Sequence, residues 1–262
     1  MGQAKVAVIG GTGFEDFFKN ARRMRLRTPY GMVSSIFAKT LEKKKVILLL
    51  RHGTGHSIPP HKVNYRANVC ALHRTGIERI LATNAVGAIN QDFKTGDLVI
   101  PNDFVDFTKL RPTTFYDKAP VTHIDVSEAY CPELRKLLIE NAKKLDLSVW
   151  ENAVLVCTEG PRFETPAEIA LFKRLACDVA GMTSFPEVVL ARELQMCYAS
   201  ICYVSNMAAG IQRRLTASEV SKVSKQILPK MKQVLIESIR SLPDERGENC
   251  TCAHSLQDAR FR

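Results

Sequence analysis

No run of apolar residues in this 262-residue chain is long enough to span a bilayer as a helix. The longest, such as Val46-Ile47-Leu48-Leu49-Leu50, fall far short of the roughly 20 residues such a helix needs. The N-terminus runs straight into a strand pattern, so no signal peptide is read there, and a cytoplasmic location is expected. No Cys-x-x-Cys pair occurs, which argues against a zinc ribbon. His52, His56 and His61 are spaced four and five apart and would need a helix to converge. Pro59-Pro60 breaks that helix, so no metal site is expected. A phosphate-binding G-x-x-x-x-G-K-[ST] loop is missing. The dinucleotide fingerprint fails as well, because Asp16 stands where its third glycine should follow Gly11 and Gly13. No internal repeat or low-complexity block is present.

Acidic residues are scarce only at the start. Residues 1–50 carry ten Lys/Arg against three acids, whereas the rest of the chain is nearly balanced. The surplus gathers at Arg22, Arg23, Arg25 and Arg27. Met24 and Leu26 alternate with these arginines, as on a half-buried strand. No aromatic residue interleaves the cluster, so a nucleic-acid partner is not expected.

What the chain does have is short apolar runs that alternate with helical patterns. That alternation implies a parallel arrangement of strands in an α/β fold, with a globular 45% hydrophobic content. The run at 5–9 exits into Gly10-Gly11-Thr12-Gly13. The run at 45–50 exits into Arg51-His52-Gly53, and the run at 79–83 into Asn84-Ala85-Val86-Gly87. Glycine turns, a guanidinium and an imidazole are anion-binding chemistry, and open α/β sheets bind ligands at strand carboxyl ends. Ala153 to Cys157 leads into Thr158-Glu159-Gly160-Pro161-Arg162-Phe163-Glu164-Thr165-Pro166-Ala167-Glu168. Thr165 with Glu168 reads as a capping box, and Pro166 as the first helical residue. Glu164 lies outside that cap and needs another reason. Glu159 has none beyond a basic partner such as Arg162. The loop 111–123, with Phe115, Tyr116 and His123, offers aromatic surface for a lid or a subunit contact. A final helix, 218–241, is expected to be interrupted or kinked near Pro229.

Of eight cysteines, Cys70, Cys157, Cys177, Cys197 and Cys202 fall in apolar patterns and read as core. Cys250-Thr-Cys252 lies in a polar stretch, 243–262, expected to be a mobile tail after a domain spanning 1–242. A disulfide across one residue is open to that pair, though strained.

These motifs, taken in order, resemble the trimeric-type purine nucleoside phosphorylases, a family that includes the methylthioadenosine phosphorylases. The resemblance rests on Ile9-Gly-Gly-Thr-Gly13, Arg51-His-Gly53, His61-Lys-Val-Asn-Tyr-Arg-Ala-Asn68 and Asn84-Ala-Val-Gly87. It continues through Glu159-Gly-Pro-Arg-Phe-Glu-Thr165, Gly181-Met-Thr183 and Pro186-Glu187. The Cys-x-Cys ending is similar to that of archaeal thermophilic members. The resemblance implies one α/β domain with a central mixed β-sheet flanked by helices, a homotrimer or dimer of trimers, and no cofactor. The implied reaction is cleavage of a purine nucleoside by inorganic phosphate, giving free base and a sugar 1-phosphate. By resemblance, Thr12, Arg51, His52, Asn84, Ala85 (through its backbone) and Thr183 hold phosphate. Met182 lies under the ribose. His56, Ala217 and a neighbouring subunit's copy of His123 line the 5′ side. Phe163, Glu164, Asn206, Met207 and Ala208 surround the base, with Glu164 and Asn206 catalytic.

The base pocket sets the substrate. A 6-oxopurine carries an N1–H donor that a carboxylate accepts, whereas a 6-aminopurine presents a bare N1 that a carboxylate repels. Glu164 toward N1 and Asn206 toward O6 and N7 match the 6-oxopurine members. The methylthioadenosine members usually have Ser at position 164 and an Asp-x-Asp pair at 206 and 208. Inosine, guanosine or S-methyl-5′-thioinosine is therefore expected. Ala217, small and apolar, suits a methylthio group. The alternatives are a methylthioadenosine phosphorylase, a phosphate-independent nucleoside hydrolase and a non-catalytic nucleotide-binding module.

Overall fold

The computed structural model describes residues 5–41, 44–248 and 250–260. The polar turn expected at 42–43 lies outside the described residues. Among the described residues, eleven strands form one mixed sheet, with the path β2-β3-β4-β1-β5-β10-β9-β7. β1 (Val6–Gly10) lies between β4 (Lys44–Leu50) and β5 (Arg79–Ala88), parallel to both. β3 (Gly31–Leu41) adds antiparallel to β4, and β2 (Arg22–Thr28) adds antiparallel to β3. On the far side, β7 (Asp103–Phe107), β9 (Val154–Thr158) and β10 (Val179–Gly181) run parallel to one another. β11 (Cys197–Met207) runs parallel along the whole of β5. β6 (Leu98–Val99) and β8 (Val149–Trp150) extend the sheet beyond β11.

Both faces of the centre are covered, so the central strands read as unbroken apolar runs. Val6 and Val8 face one core layer, with α2 (Pro132–Lys144) and α5 (Ala217–Ser241). Ala7 and Ile9 face the other, with α1 (Tyr65–Arg74) and α4 (Ser184–Glu193). α3 (Pro166–Arg174) begins at the expected capping box, in which Thr165 and Glu168 bond each other's backbone N–H. β2 presents its arginines outward while Met24 and Leu26 pack against the core, as the alternation required.

Two expectations are corrected. α5 is not interrupted at Pro229. Pro229 lies on an exposed face, as does Lys225, whose carbonyl loses its helical donor and can turn to water instead. The tail is not a free appendage. Cys250 and Cys252 are buried in the core, and Thr122 pairs with Arg260 as an isolated β-bridge.

The topology also leaves an opening. One edge of β5 is covered by β11 throughout. The other pairs with β1 only up to Ala82, and with antiparallel β10 only from Gly87. Residues 83–86 lie between the two. β1 and β10 approach this gap from opposite ends, so the carboxyl ends of both strands meet there. Ala85 is exposed and Gly87 half-buried, whereas the other residues of the strand are buried.

Candidate active site

Every anion-binding residue expected from the strand exits collects around the gap in β5. The glycine turn after β1 is tied to it by Gly11, whose N–H donates to Thr83 Oγ1 at 2.8 Å. Gly13 has φ 82°, and a Cβ there would meet Leu228 Cδ1 at 2.3 Å, so both conformation and space call for glycine. Thr12 Oγ1 lies 3.0 Å from His56 Nδ1. His56 in turn stacks on His52 with ring centroids 4.4 Å apart. His56 thus sits between Thr12 and His52.

Arg51, just past β4, is 1% exposed. Its Nη1 donates to Thr83 O at 2.7 Å, while Nε and Nη2 donate to the two oxygens of Glu187 at 2.6 and 2.7 Å. Burial acts to strip the guanidinium of its charge, but the Glu187 carboxylate outweighs it and raises the pKa. The fork is thus fixed in direction, and one N–H on each terminal nitrogen is left to meet an anion. Glu187 itself is fully buried and also accepts from Tyr198 Oη at 2.9 Å.

His52 is held in one tautomer. The Ile58 carbonyl can only accept, so Nδ1, 2.8 Å away, carries the proton and Nε2 is bare. Burial, reinforced by Arg51, lowers its pKa to about 4. A neutral His52 can therefore accept from a protonated phosphate oxygen, but it donates to phosphate only after taking a second proton. The shift also predicts a pH effect on stability. The unfolded chain protonates His52 near its ordinary 6.5 and the folded chain only near 4. Stability is thus complete above 6.5 and falls as pH drops between those values, by at most about 1.4 kcal/mol per pH unit. Thermal melts from pH 7 to 4 should show a shallower decline for His52→Asn than for the native chain; parallel curves would refute the assignment.

Across the gap, Asn84 accepts from Thr183 Oγ1 at 2.5 Å and donates to Ser200 Oγ at 2.6 Å. Its side chain is therefore engaged with protein and positions Thr183. Met182 precedes Thr183 and lies under the Gly160 turn, where a Cβ on Gly160 would approach Met182 Sδ to 2.7 Å. That turn carries φ 65° at Gly160. Thr158, at the end of β9, donates to Glu164 Oε1 at 2.6 Å and reaches Gly181 O at 3.4 Å. Glu164 is thus held beside the end of β10 with its other oxygen uncommitted, and half-exposed Phe163 precedes it.

Asn206 lies at a β-bulge opposite Gly87. A Cβ on Gly87 would stand 3.1 Å from Asn206 Nδ2, so glycine permits the close approach. Asn206 Oδ1 accepts from Ser205 Oγ at 2.6 Å, and Nδ2 donates to Met207 O at 3.0 Å. Ala208 is buried and packs beside Gly87. Ala217 is the exposed first residue of α5.

His123 does not join this group within the chain. Its N–H donates to Ala259 O, and it lines a cleft against the tail with Asp125 and Arg192. Glu159 finds a role that sequence reading left open. It accepts from the backbone N–H of Lys109 at 2.6 Å and pairs with Arg111 at 3.4 Å. Arg162 instead pairs with Glu168 at 2.7 Å. Buried Arg111 reaches on to the carbonyls of Phe185, Thr158 and Glu159, clamping the end of β9 to the start of α4. The loop it begins is pinned again where Phe115 N–H meets Glu193 at 2.6 Å. Thr83, Ser205 and Glu187 are the supporting residues that sequence reading did not assign. Two of them adjoin residues that it did, at Asn84 and Asn206.

The family model described as the phosphorylase superfamily matches residues 5–240. A probable S-methyl-5′-thioinosine phosphorylase of Methanopyrus kandleri is 51% identical over 257 residues, covering 97% of this chain and 98% of the relative. The 6-oxopurine nucleoside phosphorylase of Pyrococcus furiosus is 46% identical over 264 residues, with the same coverage of 97% and 98%. Among solved structures, methylthioadenosine phosphorylase from Schistosoma mansoni in complex with adenine superposes with a TM-score of 0.92. It is 31% identical and covers 98% of this chain and 99% of its own. This chain belongs to the phosphorylase superfamily, in its purine nucleoside phosphorylase branch.

Proposed function

We propose that the chain cleaves 6-oxopurine nucleosides with inorganic phosphate, acting on inosine, guanosine or S-methyl-5′-thioinosine. The observation that carries the base preference is Glu164, held by the Thr158 hydroxyl with one carboxylate oxygen uncommitted. That oxygen is an acceptor suited to N1–H of a 6-oxopurine and repelled by the bare N1 of a 6-aminopurine. Asn206, oriented by Ser205, keeps one Nδ2 proton for the base. No carboxylate stands at 206 or 208.

Phosphate enters the gap in β5 against Thr12, Arg51, Thr183 and the Ala85 backbone, beneath C1′ of the sugar. The C1′–N9 bond breaks as the phosphate oxygen closes on C1′, through an oxocarbenium-like state. The phosphate dianion stabilises positive charge on the ribosyl ring, and Asn206 takes up negative charge accumulating on the base at N7 and O6. No cofactor enters this reaction. Met182 supports the ribose, and Ala217 leaves room for a 5′-methylthio group. His123 reaches a nucleoside only from a neighbouring subunit, which accords with a trimer or dimer of trimers. No described helix is long and apolar enough to cross a membrane, and a cytoplasmic site of action fits this chemistry.

The test is product analysis on inosine, S-methyl-5′-thioinosine, adenosine and S-methyl-5′-thioadenosine, with and without phosphate. The 6-oxo substrates are expected to turn over far faster, and only with phosphate present. Equal or preferred turnover of the 6-amino pair would make this a methylthioadenosine phosphorylase. Cleavage without phosphate would make it a hydrolase, and tight binding with no cleavage a binding module.

A further inference from the structure

Four cysteines from three distant parts of the chain come together outside the nucleoside site. Cys131 caps α2, Cys197 opens β11, and Cys250 and Cys252 belong to the tail. All four are buried, and their sulfurs lie within 4.8 Å of one another. Cys197 Sγ and Cys250 Sγ are 3.3 Å apart, beyond the about 2.05 Å of a disulfide. All eight cysteines of the chain are free thiols.

The geometry points to a structural zinc site, with Cys131, Cys197, Cys250 and Cys252 as its four thiolate ligands. Zinc–sulfur bonds of about 2.3 Å in a tetrahedron place the sulfurs about 3.8 Å apart. The observed cluster reaches that spacing with small side-chain shifts. Four thiolates leave no open position, which is the arrangement of a structural zinc rather than a catalytic one.

A second observation is electrostatic. Arg192, on α4, is 2% exposed, and its Nη1 lies 3.4 Å from Cys252 Sγ. Its other polar partners are the Thr251 hydroxyl and the Asp125 carbonyl, both uncharged, and its buried Nε has no partner at all. The exposed Asp125 carboxylate acts on this buried guanidinium from the solvent side, and four neutral thiols add no counter-charge in contact with it. Zinc tetrathiolate, whose net charge is −2, supplies one there. The cleft of about 490 Å³ that runs along Asp125, Arg192 and Cys250 supplies a path for the ion.

The chemistry balances without an oxidant. Each thiol releases its proton as its sulfur binds, so four protons leave per zinc. Joining the same sulfurs as two disulfides would instead remove four electrons and need an acceptor. The site would fasten the tail to the starts of α2 and β11, closing long loops of the chain.

The full-length chain, produced under reducing conditions with zinc and desalted, should carry about one zinc per chain by elemental analysis. Cobalt loaded in its place should give the visible absorption of tetrahedral cobalt thiolate. Cys252→Ser should lose the metal and become cleavable by protease beyond Leu242, whereas Cys70→Ser, outside the cluster, should retain both metal and resistance. Should Cys252→Ser fail to fold, the cobalt spectrum and zinc content of the native chain decide alone. Zinc far below one per chain, or four thiols that titrate freely after zinc loading, overturns the proposal. So does an intact mass lower by four hydrogens, which would mean two disulfides.

Discussion

Replacing Glu187 by glutamine is expected to lower folding stability by about 3–5 kcal/mol and to raise the KM for phosphate steeply. Arg51 is fully buried, and Glu187 is the carboxylate that both neutralises it and aims its fork. Taking the charge from Glu187 leaves an uncompensated guanidinium in the protein interior, and the new amide hydrogens point at Arg51 donors. For a chain of this size the melting temperature should fall by on the order of 10 °C. Stability and phosphate binding separate in the double variant Arg51→Met, Glu187→Gln. Removing both charges should restore much of the lost stability, because an absent buried pair costs far less than half of one. Phosphate-dependent turnover should stay lost. Chemical denaturation together with phosphate titration of both variants checks this. A Glu187→Gln chain melting within about 1 kcal/mol of native would mean the pair is not the interior anchor described here.

Asn206→Asp is expected to lower kcat/KM on inosine by about 10²–10³-fold while reducing adenosine turnover much less. In the proposed binding mode, the buried amide offers one proton to the base and gives the other to Met207 O at 3.0 Å. An ionised aspartate offers none and sets two oxygens against that carbonyl. To avoid the clash it must hold a proton, and a protonated Asp can donate to N7 of either base class but no longer favours O6. The ratio of 6-oxo to 6-amino turnover should therefore fall at least about tenfold, the step one lost discriminating hydrogen bond implies. An unchanged ratio would show that Asn206 does not read the base. Ser205→Ala, which removes the 2.6 Å hydroxyl bond orienting Asn206, should move the same ratio in the same direction but less far.

Strand exits, the α3 cap and the outward arginines of β2 are legible in the sequence. They depend on short-range patterns: apolar alternation, glycine and proline placement, and a Thr-to-Glu spacing of three. Glu164 stood out for a similar local reason, as an acid outside its helix cap. The tail reads as mobile because its composition is polar, yet Cys250, Cys252, Ser255 and Ala259 are buried in the fold.

Local pattern thus determined which side chains could bind an anion and read a purine. The tertiary structure decided which of them meet. Arg51 and Glu187 are 136 residues apart, and Asn84 and Thr183 are 99 apart. These pairs exist because β10 turns antiparallel beside β5 and leaves residues 83–86 uncovered. The four cysteines meet because the tail folds back across the start of β11. Strand order and register are long-range choices, made by the packing of the whole sheet. No window of a few residues contains the information that fixes them.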